Sequence, residues 1–276
     1  MELEKDKADV RVIVFANNWG GLQILDGWKH RVGMEVIALV VHPAWNAKYR
    51  DEILAAAEMP VERIVDATSL RDKSTIEYLD SLGPDLGVSA FFGYILKKRI
   101  IDLFPRGIVN LHTGFLPINR GWHTNIYPIL DGSPAGVALH FVDEGIDSGP
   151  VLARKEVQVF PTDTGKDLHR RLTWALIDLF NEKFSSILNG SIEPAVPQNP
   201  SIATHHFRKK MRRLEEIDLD RKYRARDLIN LLRALTYAPY PGAYSEENGV
   251  RIYYRLLPFG AEKLRVGAVP NWEEDA

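Results

Sequence analysis

Asn110, His112 and Asp147 are polar side chains standing where the surrounding pattern calls for apolar ones. The run GIVNLH ends an otherwise buried strand on Asn110 and His112, and the glycine-bounded loop DEGIDSG carries Asp147. An amide can donate to a carbonyl oxygen that is gaining negative charge, an imidazole can move a proton near neutral pH, and a carboxylate can orient that imidazole or pass the proton on. By residue type alone Asn110 and His112 also suit a second role, as hydrogen-bonded anchors for the loop that follows them. That loop is rich in Gly, Pro and Asn and carries Arg120 and Trp122.

The elements that must position these groups alternate between strand and helix. RVIVFA (Arg11 to Ala16), MEVIALVVH (Met34 to His42), PDLGVSAFF and GIVNLH are apolar, β-branched runs of strand length. Between them GLQILDGWKH, KYRDEILAAAEM and SLRDKSTIEYLDSLG read as helices, the last two stopped by Pro60 and Gly83, and a short helix covers LKKRIIDLF. Strands separated by helices imply right-handed crossovers and an α/β fold with a mainly parallel, twisted sheet flanked by helices. Ligands of such sheets sit at the carboxyl ends of strands, where Asn110 and His112 lie. Being two apart, they face the same side of their strand.

AGVALHFV, the DEGIDSG turn and PVLARKEVQV suggest an antiparallel return, closed by a long helix over GKDLHRRLTWALIDLFNEKFSSIL. NGSIEPAVPQNPS then reads as a linker. Beyond it come the charged run FRKKMRRLEEIDLD, an amphipathic helix RARDLINLLRAL and a hairpin turning at Asn248 and Gly249. The predicted organisation is a catalytic domain over 1–200 and a small α+β domain with helix and hairpin over 201–276.

Composition limits the function classes. A chain of 276 residues, 45% hydrophobic and 26% charged, can bury a full core. A formal net charge of -2 gives no global field toward nucleic acid or an anionic membrane, so small molecules are the expected partners. Cysteine is absent, which excludes disulfides, thiolate metal sites and a Cys nucleophile. MELEKDKADV is too charged for a signal peptide, and no apolar run approaches the roughly 18 residues of a membrane span, so a cytoplasmic location is expected. No metal site is expected: His205 and His206 are adjacent and do not face one ion, and His140 reads as a core or edge residue of its strand. Gly20 and Gly21 lack dinucleotide-binding spacing, and Tyr253 and Tyr254 read as hairpin packing.

NLH followed by a Pro-containing loop, and some thirty residues later a strand running into VDEGIDSGPVL, resembles the formyltransferases that use 10-formyltetrahydrofolate. The resemblance covers most of the chain and implies a Rossmann-like sheet. It implies Asn110, His112 and Asp147 as the catalytic trio. SAFFGYIL is similar to that family's folate-side loop, which implies Phe92, Gly93, Tyr94, Ile95 and Leu96 as one wall of the cofactor pocket. Val142, Asp143, Glu144, Gly145 and Ile146 are implied as the other. Lys97 departs from the Pro common in that family. GFLPINRG is similar to the family's S-L-L-P-x-x-R-G, which implies a cis bond before Pro117. The implied reaction is acyl transfer without a covalent enzyme intermediate: a neutral amine attacks the formyl carbon, Asn110 and protonated His112 stabilise the oxyanion, and Asp147 assists the proton transfers.

Three branches of acceptor follow. Glycinamide ribonucleotide formyltransferase carries a Gly-Asn-rich phosphate cradle after its first strand, where this chain has Asn17, Asn18 and Trp19, then Gly20 and Gly21. Enzymes acting on methionyl-tRNA have a C-terminal extension with a basic surface; FRKKMRR is a local candidate, although it also reads as a solvated charged face. NRGW and ARDLINLLRALTYAPYPGAY look most like sugar N-formyltransferases, which modify a UDP- or dTDP-linked amino-dideoxy sugar, here a 4-amino sugar by first expectation. Such a substrate needs a cation for the pyrophosphate and aromatic faces for base or sugar, and Asn17, Trp19, Gly20, Arg120, Trp122, His123 and Tyr127 are the candidates. Further alternatives are a formyltetrahydrofolate hydrolase, which is expected to carry a regulatory domain ahead of the first strand, and a folate-binding module without activity. A homodimer through the second domain, as in sugar-modifying relatives, completes the expectations.

Overall fold

The computed structural model describes residues 9–28 and 32–260. The charged N-terminal segment, the end of the first predicted helix at Lys29 and His30, and the predicted second domain beyond 260 lie outside the described residues. The described residues form two compact units that are discontinuous in sequence: those within 9–112, 137–155 and 173–201, and those within 113–136, 156–172 and 202–260.

The first unit is built on a seven-stranded sheet. Its strands are β1 (Val10–Ala16), β2 (Met34–Val41), β3 (Ile64–Asp66), β4 (Leu86–Ala90), β5 (Ile108–His112), β7 (Gly136–Phe141) and β8 (Val151–Glu156), in the order β3-β2-β1-β4-β5-β7-β8. The links β1–β2, β1–β4, β2–β3 and β4–β5 are parallel, and β5–β7 is antiparallel. Continuous apolar sequence explains the centre: the last five residues of β1 and all of β4 are buried, as strands covered on both faces must be. On one face Ile13, Phe15, Val40, Leu79, Ile100, Phe104 and Ile108 share a core cluster. Fully burying each such side chain stabilises by about 1.5–3 kcal/mol.

Helices α1 (Asn18–Asp26), α2 (Arg50–Ala57), α3 (Lys73–Ser81) and α4 (Lys98–Ile101) flank the sheet, as does the part of α6 (Gly165–Asn189) from Thr173 on. The first helix starts three residues before the predicted Gly21: Asn17 stands at its N-cap in extended backbone, and within the first turn the Asn18 side chain accepts the Trp19 N–H at 2.7 Å. SLRDK does not open a helix directly. Ala67–Arg71 forms a 3-10 turn, started by Asp66 accepting the Thr68 N–H, and α3 follows.

The second unit contains β6 (Arg120–Gly121), α5 (Tyr127–Asp131), β9 (His205–His206), α7 (Arg208–Glu215), α8 (Ala225–Leu235) and the hairpin β10 (Ala243–Glu247) with β11 (Val250–Tyr254). The hairpin turns where predicted, at Asn248 and Gly249, both at positive φ, 49° and 77°. The Leu116–Pro117 bond is cis, as the resemblance implied, and Ala238–Pro239 is cis as well. No helix among the described residues is long and apolar enough to cross a membrane.

Candidate active site

Strand register brings the polar groups together. Asn110 on β5 stands opposite Ser89 on β4 and opposite His140 on β7, so the three form a row across neighbouring strands. The Ser89 hydroxyl donates to Asn110 Oδ1 at 2.7 Å, and Asn110 Nδ2 lies 3.0 Å from His140 Nε2. His140 Nδ1 is 2.7 Å from the Phe141 carbonyl, which can only accept, so Nδ1 carries a proton and Nε2 is left to accept from the amide. Both ends of Asn110 are thereby oriented: its oxygen toward Ser89, its NH₂ toward His140.

Asp147 meets this row from the loop after β7. Its Oδ1 lies 3.4 Å from Asn110 Nδ2 and 3.4 Å from His140 Nε2, and its Oδ2 lies 3.5 Å from His112 Nδ1. His112 is 6% exposed and His140 2%, so the carboxylate faces two buried imidazoles and one amide. All of these contacts are longer than ordinary hydrogen bonds, as contacts between catalytic groups commonly are before substrate binds.

The loop that carries Asp147 is held from within. Asp143 accepts from the Ser148 hydroxyl at 2.7 and 2.9 Å and from the Gly145 N–H at 3.1 Å. Gln198 Nε2 donates to the carbonyls of Asp147, at 2.9 Å, and Gly149, at 2.7 Å. Gly149 must be glycine, since a Cβ there would stand 1.9 Å from the Phe141 carbonyl oxygen. Asp147 itself takes a positive φ of 49°.

The two segments expected to receive a folate converge on one hydrophobic base. Phe92, Tyr94 and Val142 are half-buried and pack on the core cluster that contains Leu96, Phe104 and Ile108. Ile95 and Ile146 are exposed at 59% and 37%. Apolar surface beside main-chain polar groups at strand ends fits a flat heteroaromatic ring. Leu96 belongs to the core beneath this surface, the Asp143 carboxylate is engaged by its own loop, and Glu144 is exposed.

The remaining expected residues divide between the units. Asn17 Oδ1 accepts the Lys48 N–H at 3.0 Å, and the Asn18 N–H donates to the Lys48 carbonyl at 3.0 Å. Gly20 is buried, and a Cβ on it would stand 2.2 Å from the Phe91 ring. At the start of α1 the Asn18 and Trp19 N–H groups are therefore already paired, with the Lys48 carbonyl and the Asn18 side chain. Trp19 is half-buried and packs edge-on against Trp174, ring centroids 4.8 Å apart.

Arg120, Trp122, His123 and Tyr127 lie in the second unit, where the two-residue strands β6 and β9 pair in parallel, Arg120 with His205 and Gly121 with His206. Arg120 is 6% exposed and its Nη1 lies 3.5 Å from His205 Nε2. Trp122 is 46% exposed beneath the Arg208 guanidinium, 5.6 Å from its ring. Burial, then the Arg208 charge, lower the His123 pKa from its ordinary value. Tyr127 stacks on His206, whose Nε2 donates to Asn119 Oδ1 at 2.8 Å.

Ser89 and Gln198 are not among the residues that the sequence marks for the site, His140 reads there as a core or edge residue, and His205, His206 and the charged run that holds Arg208 read as bystanders. Ser89 and His140 left a signal, each being a polar residue in an apolar strand that flanks the strand of Asn110. Gln198 left none, because it acts across 49–51 residues from within a Pro-rich stretch.

Residues 10–179 match the formyl transferase family, and residues 210–256 match a domain described as the N-formyltransferase dimerization C-terminal domain. A methionyl-tRNA formyltransferase from Bacillus pumilus is 33% identical over 227 residues, 80% of this chain and 69% of that protein. Among solved structures, a 4-N formyltransferase from Francisella tularensis superposes with a TM-score of 0.78 at 23% identity, over 91% of this chain and 98% of that one. A sugar N-formyltransferase from Shewanella sp FDAARGOS_354 gives 0.77 at 21% identity, over 90% and 97%. At these identities the structural likeness establishes the fold.

Proposed function

Because the chain belongs to the formyl transferase family, we propose that it transfers the formyl group of 10-formyltetrahydrofolate to the amino group of a UDP- or dTDP-linked amino-dideoxy sugar, the 4-amino sugars first. The observation that carries the acceptor class is the closeness of the superposition. The Shewanella sugar N-formyltransferase and the Francisella 4-N formyltransferase superpose with TM-scores of 0.77 and 0.78, whereas a methionyl-tRNA formyltransferase from Clostridium thermocellum, matched over a similar 95% of its length, gives 0.61. The paired amides at the start of α1 argue against a ribonucleotide phosphate there. The 33% identity to a methionyl-tRNA formyltransferase supports a second reading, in which charged tRNA is the acceptor.

Bound folate supplies the electrophilic formyl carbon. Asn110 keeps its 3.0 Å contact with His140 and exchanges the longer one, to Asp147 at 3.4 Å, for the carbonyl oxygen as that oxygen gains charge. Asp147, directly or through water, accepts the proton that the attacking amine loses as the new C–N bond forms. His112, 3.5 Å from Asp147, would when protonated add its charge to the stabilisation and return a proton to the departing nitrogen. The row behind Asn110 fixes the amide before the substrates arrive, so little reorganisation accompanies the reaction. We further propose a homodimer formed through the hairpin unit, where Val250 and Ile252 expose apolar surface on β11.

Mass spectrometry of nucleotide amino sugars incubated with the protein and 10-formyltetrahydrofolate tests the acceptor. A product heavier by one formyl group is expected from a 4-amino-dideoxyhexose, with a 3-amino isomer next. Formylation of methionyl-tRNA or glycinamide ribonucleotide alone overturns the acceptor class, and formate release without any amine identifies a hydrolase.

A further inference from the structure

His42 lies outside the polar row yet reaches the segment read as the donor wall. It follows β2, is 5% exposed, and its Nε2 stands 3.1 Å from the Gly93 N–H. An N–H can be met only by a ring nitrogen that offers its lone pair, so Nε2 carries no proton. Nδ1 faces the Asn46 carbonyl at 3.4 Å, which fixes the proton on that side. The ring also packs edge-on against Phe92 and Tyr94, with centroids 5.1 and 4.8 Å away. One imidazole thus contacts three consecutive residues of the loop through a hydrogen bond and two aromatic faces, and Phe91, just before them, is held at a positive φ of 56°.

We propose that His42 is a positioning residue for the formyl donor: its neutral imidazole holds residues 92–94 in the shape that receives the pteridine ring. The inference rests on the reading of 92–96 as the donor wall, and adds to it a residue that never touches the donor. A hydrogen bond of this kind is made with the loop in place and lost when the loop swings out, so its free energy enters donor affinity and not the chemical step.

A proton on Nε2 would set a donor against the Gly93 N–H, so the loop is held only while His42 is neutral. Burial lowers the His42 pKa from its ordinary value; the Asn46 carbonyl and the Asp66 carboxylate at the end of β3 oppose that shift. Also beside it are Arg50 of α2, whose Nε donates to the His42 carbonyl at 3.3 Å, and Tyr94. Asp66 is itself occupied by the Thr68 N–H and hydroxyl, at 2.8 and 2.6 Å.

The test is calorimetric titration of the full chain with 5-formyltetrahydrofolate, a donor analogue that does not react, between about pH 5 and pH 8, beside steady-state kinetics with 10-formyltetrahydrofolate. Wild-type affinity should be flat at neutral pH and fall below roughly pH 6.5, where protonation begins to compete. His42→Leu should bind about 5- to 20-fold more weakly at neutral pH and raise KM for the donor, with kcat at saturation changed by less than about twofold. His42→Gln, whose amide oxygen can accept in place of Nε2 without titrating, should recover most of the affinity and lose the acid limb. Wild-type affinity in His42→Leu, or an unaltered acid limb in His42→Gln, overturns the proposal. If circular dichroism shows the Leu variant unfolded, the Gln comparison decides. A wild-type protein that binds no folate removes the donor reading and this inference together, whereas folate binding indifferent to residue 42 removes the inference alone.

Discussion

His140→Leu is the sharpest probe of the polar row. Leucine fills a comparable volume but supplies neither the acceptor 3.0 Å from Asn110 Nδ2 nor the donor 2.7 Å from the Phe141 carbonyl. At a position 2% exposed, water cannot readily replace them. Each unmet buried group costs about 1–3 kcal/mol, so an overall loss of about 2–4 kcal/mol of stability is expected after partial relaxation. The catalytic effect is separable. Asn110 remains tied to Ser89 through Oδ1 at 2.7 Å, but its NH₂ loses the contact that set its direction. Removing an oxyanion donor outright costs about 100- to 1000-fold in kcat, so a donor that is present but loosened should cost about 10- to 100-fold. His140→Gln, which can present an oxygen to Asn110, should recover part of that loss. Tetrahydrofolate release at saturating donor and amino-sugar acceptor measures kcat, and thermal denaturation by circular dichroism measures stability. A folded His140→Leu protein that turns over within about threefold of wild type would refute the claim that the row orients Asn110.

Three further outcomes are expected. His112→Asn or His112→Ala should lower turnover by about a hundredfold or more, and near-normal turnover would remove His112 from the proton path. Asp163, 3% exposed, binds Arg171 through both oxygens at 2.7 and 2.8 Å and accepts the Phe160 N–H, so Asp163→Ala should cost about 1.5–3 kcal/mol in a denaturant melt by removing charge-assisted bonds to partners that water still reaches. Stability should also fall on acidification. His42 and His123 both have folded pKa values below the ordinary 6.5. Below that value the unfolded chain binds protons that the folded chain refuses, so stability declines until the pH drops beneath the folded pKa values and the loss levels off. Melting temperatures across this range measure the slope, and His42→Gln should flatten its own share of it.

What was legible in the sequence was whatever repeats locally. The buried run VIVFA, the alternation of strand and helix, and the Asn248–Gly249 turn each announce themselves within a few residues, and the sheet and hairpin follow from them. His140 did not, because on β7 alone it is one polar residue in a strand; its meaning depends on β7 lying antiparallel beside β5 in a register that sets it opposite Asn110. The pairing of β6 with β9 rests on two residues from each strand, too few for any periodicity. The change of texture near residue 200 marks a linker but not the compact units, since 113–136 and 156–172 cluster with the C-terminal segment. Local pattern reports how a segment meets the core. Lateral register and long-range side-chain contacts decide what stands beside it.

Gln198 bears on how this protein can be cut and recombined. The carboxylate loop is clamped by a side chain that enters the structure only after the long α6 has run its course, from a stretch with the texture of a dispensable tether. A shortened version ending with that helix would retain all seven strands of the large sheet and yet release Asp147 from its mooring. Chimaeras that exchange the C-terminal portion between relatives therefore have their natural seam downstream of Gln198, and a graft made upstream must bring along an amide able to grip the same two carbonyls.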